Sequence, residues 1–168
     1  KKAHYFTHMK TDFQTTNFVL YGSQTSEYSS QIYQQILNQL KKIVSKSDIK
    51  FVLTNPENLD KDLMTLDGPS YFFPLFLMDG VEYNSFKNKI EKDFFYEKEI
   101  ALPLSEYPRF LKKLFIDSPK SIYLMHGSKK YNNAQKHAKI IEFGKSAGDH
   151  HFCFLEGEPY FKTFIENQ

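Results

Sequence analysis

A histidine and a glutamate thirty positions apart, His126 and Glu156, carry the clearest chemistry in this chain. Each follows a short apolar run, Tyr123 to Met125 before the histidine and Phe152 to Leu155 before the glutamate, so each stands where a strand would end. Imidazole and carboxylate both bind first-row divalent metals, and either can accept a proton near neutral pH. Ligation requires the neutral imidazole, so metal capture at such a site weakens in acid. An isolated histidine at a strand end more commonly caps a helix or pairs with a neighbour. The glutamate at the matching position is what raises His126 above that reading.

Ser128, Lys129 and Lys130 follow closely, and their hydroxyl and ammonium groups suit the carboxylates of an anionic ligand. A solvated helix start accounts for them equally well. His137 shares a helical face with Ala134, Ala138 and Ile141 and reads as packed. His150, His151 and Cys153 resemble a metal cluster by composition, but adjacent strand residues point to opposite faces and cannot all converge. His4 and His8, at helical spacing, carry no functional argument.

The composition is that of a folded protein: 40% hydrophobic, 25% charged, with 17 Phe and 11 Tyr among 168 residues, which is length for one sizeable core or two small ones. Its net charge of +2 is spread between acidic residues, without the basic stripe expected of a nucleic-acid-binding protein. The single cysteine, Cys153, excludes an intrachain disulfide framework and fits a reducing, cytoplasmic setting. No apolar run nears the roughly 18 residues of a membrane span, and the first ten residues lack a signal-peptide core.

To position these side chains the chain needs alternating strands and helices. Residues 1–16 read as an arm or tag. Phe18 to Tyr21 is a strand followed by Gly22-Ser23, a candidate N-cap at Ser26, and a helix marked by Ile32, Ile36 and Leu40. Ile49 to Leu53 and Tyr71 to Met78 are continuous apolar runs, as in strands covered on both faces, with Pro74 suggesting that regular pairing starts after it. A helix at 82–94, a short strand at 99–102 and a helix at 108–115 complete a first half spanning 17–118.

The pattern then restarts over 119–168. A strand at 121–125, a turn at His126-Gly127-Ser128, a helix at 133–145, a strand at 152–155 and a helical stretch at 160–166 repeat the opening order. The expected class is therefore α/β, with parallel sheets, helices on both faces and two similar halves, the second incomplete. A two-stranded half-sheet leaves edges uncovered. Either the natural chain continues past Gln168 or a partner, such as a second copy, supplies the cover.

The segment MHGSKKYNNA, followed by FLEGEP, together with PLFLMDGVEY earlier, resembles the class II tetrapyrrole chelatases, the sirohydrochlorin cobalto- and ferrochelatases. The resemblance spans roughly 17–168 and implies two α/β halves flanking a cleft in which a metal enters a tetrapyrrole. It implies that His126 is metal ligand and base for the pyrrole protons, with Glu156 its partner. The metal, cobalt or iron, is then a substrate, and no tightly bound cofactor is expected. Tyr21 stands where a functional first half would have histidine, and Thr54-Asn55 where it would have glutamate. Glu82 lies near a position that carries histidine in single-domain relatives. A further family histidine would fall beyond Gln168.

Two other readings compete. A heme or tetrapyrrole carrier would use His126 or Met125 as an axial ligand. A flavodoxin-like electron carrier would use Tyr21-Gly22-Ser23-Gln24-Thr25 as a phosphate loop, although Ser26 replaces the expected glycine.

Overall fold

A computed structural model describes residues 16–22, 27–44, 48–116, 120–129 and 132–166. The expected arm before Thr16, the N-cap at Ser26, the pair His4 and His8, and Lys130 lie outside the described residues. The chain divides into two compact units, Lys1–Pro103 and Leu104–Gln168.

The first unit is built on a parallel sheet of order β2-β1-β3-β4: β1 Asn17–Tyr21, β2 Lys50–Thr54, β3 Ser70–Pro74 and β4 Lys98–Ile100. Every residue of β1 is buried: the apolar Phe18 to Tyr21 as its central place requires, and Asn17 with its amide donating to Ser70 Oγ and the Gly68 carbonyl. Helix α1, Glu27–Ile43, joins β1 to β2, with Glu27 in its first turn and Lys41 and Lys42 in its last, each complementing the helix dipole. A short α2, Leu59–Leu63, precedes β3, and α3, Val81–Asp93, precedes β4.

Helices cover both faces of this sheet. On one, Phe18, Phe51, Tyr71 and Phe73 meet Leu40 of α1; on the other, Val19, Tyr21 and Phe72 pack with Leu59 and Leu63 of α2 and Phe86 and Ile90 of α3. Crossing from β2 over β1 to β3 makes the carboxyl ends of β1 and β3 the point where strand order reverses, the place where open α/β sheets hold ligands.

Pro74 ends strand β3 rather than preceding the regular pairing. The Phe72 carbonyl accepts the Ala101 N–H at 2.8 Å, so position 74, two residues on, faces the same side. There β4 has already stopped at Ile100, and the missing proline N–H forfeits no ladder bond.

The second unit contains α4 Pro108–Ile116, β5 Lys120–Gly127, α5 Asn133–Lys136, α6 Ala138–Ala147, β6 Asp149–Glu156 and α7 Phe161–Glu166, with β5 and β6 paired in parallel. The division thus falls fifteen residues before the boundary expected after 118. Phe115 of α4 packs against Tyr123, Phe143 and Phe152, which binds that helix to the second sheet. The helix expected at 133–145 is broken at His137, whose ring leaves the helical line to stack on Phe154 at 5.2 Å. The packed reading of His137 holds. Among the described residues no helix is long and apolar enough to cross a membrane.

Candidate functional site

Strand β5 alternates exposed and half-buried residues along its whole length, and this alternation sorts the candidate side chains. Ser121, Tyr123 and Met125 turn toward α4 and α6, sharing that face with His150, Phe152, Phe154 and Glu156 through the pairs Ser121 with His150, Tyr123 with Phe152, Met125 with Phe154 and Gly127 with Glu156. Ile122, Leu124 and His126 point the other way, with His151, Cys153 and Leu155.

His126 is therefore not in a turn. It is the penultimate residue of β5, exposed, with Nδ1 3.1 Å from the Gly127 carbonyl. Its strand neighbour is the one that carries Glu156, as a shared cleft requires, but Glu156 stands opposite Gly127 and is half-buried on the packed face. The two candidates lie one register step apart at the carboxyl edge. Among the described residues no ion pair joins them.

What holds that edge together is Asn133, a residue the sequence reading passed over. Its side chain is 1% exposed; Oδ1 accepts the Ser128 N–H at 2.8 Å, and Nδ2 donates to the Glu156 carbonyl at 2.7 Å. One amide thus ties the segment after His126 to the residue at the end of β6. The adjoining Asn132 already caps α5 by accepting from the Gln135 N–H at 3.1 Å, so a second asparagine beside a sufficient cap was the available signal.

Gly127 and Gly157 close the same edge with φ of 72° and 80°. A Cβ on Gly127 would run into the Glu156 carbonyl, and one on Gly157 into Asn133 and the Ser128 carbonyl. Both positions need glycine for conformation and for space. Ser128 is fixed by Asn133, and Lys129 is exposed just beyond it.

The face bearing His126 is apolar and partly open: Cys153 is buried and His151 packs against α7, but Ile122 is 50% exposed, Leu124 45% and Leu155 58%. The first unit shows what covers the corresponding position. Tyr21, equivalent to His126 in the Tyr-Gly-Ser and His-Gly-Ser sequences, stacks on Phe86 of α3 at 4.1 Å and is 6% exposed. By register, Asn55 corresponds to Glu156: the Gly22 N–H bonds to Thr54 of β2, whereas Gly127 pairs with Glu156 itself.

His150, His151 and Cys153 do not converge. His150 is buried between Phe115 and Tyr123, each 5.4 Å away, whereas His151 stacks on Phe164 of α7 at 5.3 Å on the other face. Burial pushes the Cys153 thiol above its ordinary range, which suits a packed rather than a ligating sulfur. Among the described residues no group of three metal-binding side chains is gathered.

No family model and no curated protein matches the chain. Among solved structures, the fold is similar to that of SirB from Bacillus subtilis with Fe3+, with a TM-score of 0.64 and 13% sequence identity over 91% of this chain and 71% of that one. At that identity the likeness is one of fold.

Proposed function

We propose that the protein inserts a divalent metal, cobalt or iron, into a tetrapyrrole of the sirohydrochlorin type. The observation that carries this reading is His126, exposed at the carboxyl end of a parallel strand beside the exposed apolar side chains of Ile122, Leu124 and Leu155. Two further lines support it: the His-Gly-Ser and Leu-Glu-Gly segments that resemble class II chelatases, and the fold likeness to SirB, a structure that contains Fe3+.

The chemistry follows from charge balance. As the dication enters the macrocycle, two pyrrole N–H protons leave, so a neutral imidazole that has handed over the ion would take one of them and the Glu156 carboxylate or water the other. The apolar surface of Ile122, Leu124 and Leu155 suits the flat face of a tetrapyrrole. Lys129, and Lys130 with it, would meet peripheral carboxylates. Glu156 contributes from the neighbouring strand end when its side chain extends along the strand axis over the edge.

An anaerobic assay following tetrapyrrole absorbance with Co2+ or Fe2+ tests the reading. Metal-dependent spectral conversion is expected, together with its loss in His126→Ala.

The same open histidine also fits a heme carrier. Met125 points to the packed face beside Phe154, so that reading rests on His126 alone. A His126-dependent Soret shift without metal insertion would favour it. The flavodoxin-like reading rests on a loop whose Ser23, Gln24 and Thr25 lie outside the described residues.

A further inference from the structure

Asn133 is committed to the ends of two strands at once. Its side chain is 1% exposed, with Oδ1 accepting the Ser128 N–H at 2.8 Å and Nδ2 donating to the Glu156 carbonyl at 2.7 Å. Helix α5 has no need of it, since Asn132 already caps the first turn. Gly127 and Gly157 leave the room it occupies, because a Cβ at either position would crowd Nδ2.

The first unit holds the corresponding edge in another way. There the Gly22 N–H donates to the Thr54 carbonyl at 3.2 Å, and Asn55, the register equivalent of Glu156, accepts the Asn58 N–H through Oδ1 at 2.8 Å. Five residues after Ser128 stands Asn133, whereas five after Ser23 stands Tyr28, which has no amide. Among the described residues, the amide clasp thus occurs in the unit whose strand ends carry His126 and Glu156, and not in the unit with Tyr21 and Asn55 at those positions.

That distribution asks for a reason beyond folding, since the first unit's sheet forms without the clasp. Strand ends fray unless something holds them. Ser128 lies two residues past His126, and the bonded carbonyl is that of Glu156 itself, so one amide fixes the backbone beside both candidate ligands. Glu156 is half-buried on the packed face, and its carboxylate meets a metal at His126 only by passing over the strand edge. A reach of that kind succeeds when the edge stays in place.

We propose that Asn133 is a positioning residue: it holds the end of β6 against the segment after β5 so that the Glu156 carboxylate joins His126 on one metal ion. The role rests on the chelatase reading of those two side chains, and it gives Asn133 no contact with metal or tetrapyrrole.

Calorimetric titration with Co2+ of four whole chains tests it: wild type, Asn133→Ala, Glu156→Gln and the double variant. Each single substitution should weaken Co2+ binding by a similar factor, and the double variant should bind within about twofold of either single one, because both remove the same carboxylate from the ion. A purely structural asparagine would lower stability and leave the two losses additive. Amide exchange reads the clasp without metal: the Ser128 N–H should be protected in the wild type and in Glu156→Gln, and exchange faster in both chains that lack Asn133. Should Asn133→Ala fail to fold, the same cycle is run in the His150→Phe background, where two unpartnered buried nitrogens are gone. Additive losses, the absence of a loss in either single variant, or an unprotected Ser128 amide in the wild type would overturn the proposal and leave the role of His126 standing. A wild type that does not bind Co2+ would overturn the chelatase reading and this role with it.

Discussion

Gly127 at the end of β5 stands in register with Glu156 at the end of β6, and this one relationship places His126 beside Leu155 on the opposite face of the sheet. The two candidate ligands are close in the fold and unequal in it: the histidine is open, the glutamate half-buried.

Unequal placement predicts unequal effects on metal binding. With Co2+ as the probe, His126→Ala should weaken binding by at least about tenfold, the usual scale for loss of a ligand or its close support, while Glu156→Gln should weaken it by clearly less. Equal losses would mean that the glutamate turns fully onto the histidine's side when the metal binds. Protonation of the imidazole should also release the ion as pH falls.

Asn133 predicts a stability effect at the same edge. Asn133→Ala leaves the Ser128 N–H and the Glu156 carbonyl without their partner, at a cost of about 1–3 kcal/mol, measurable by urea denaturation. Asn133→Asp keeps an acceptor for Ser128 but buries a carboxylate against the Glu156 carbonyl, so near neutral pH its cost should be at least that of alanine. Gly127→Ala, which meets both a positive φ and the Glu156 carbonyl, should be at least as damaging as Asn133→Ala.

His150 makes the opposite prediction. It is 4% exposed, and among the described residues neither ring nitrogen has a hydrogen-bond partner, while Phe115 and Tyr123 surround it. His150→Phe keeps a ring of similar size and removes two orphaned polar atoms, so it should stabilise the protein by about 1–3 kcal/mol. A lower melting temperature in this variant would show that the imidazole bonds to something essential.

Tyr21 predicts a pH effect confined to alkaline solution. Burial, with Glu82 adding, raises its phenol above the ordinary value near 10. The folded state therefore prefers the protonated form. Its contribution is fully present below pH 10 and is lost as pH rises through the higher folded value. Tyr21→Phe should flatten that alkaline decline in stability and leave the profile near neutrality unchanged in shape.

The element order was legible because apolar runs bounded by glycine, asparagine and proline alternate with helical spacing, from Phe18-Val19-Leu20-Tyr21 to the restart at Ser121. Helix α2 was not, because five residues show only Leu59 and Leu63 at helical spacing. The faces of β5 were not either. Its sequence is apolar on both sides, and only the positions of α4 and α6 decide that Tyr123 packs while Leu124 is exposed. His126 and Glu156 could thus be found as strand-end residues, but their separation onto two faces depends on pairing register, which no local pattern encodes. Asn133 was hidden for the same reason, since both of its bonds reach across a strand end. Pro74 misled because its cost depends on whether a neighbouring strand is present at its level, and β4 is too short to be there.

The most direct test of the central claim is the initial rate of metal insertion into sirohydrochlorin under anaerobic conditions, measured with Co2+ and with Fe2+ for the wild-type chain and for His126→Ala. The account predicts metal-dependent conversion by the wild type and a loss of about a hundredfold or more in the variant, since one group serves as both ligand and base. Equal rates in the two proteins would contradict it.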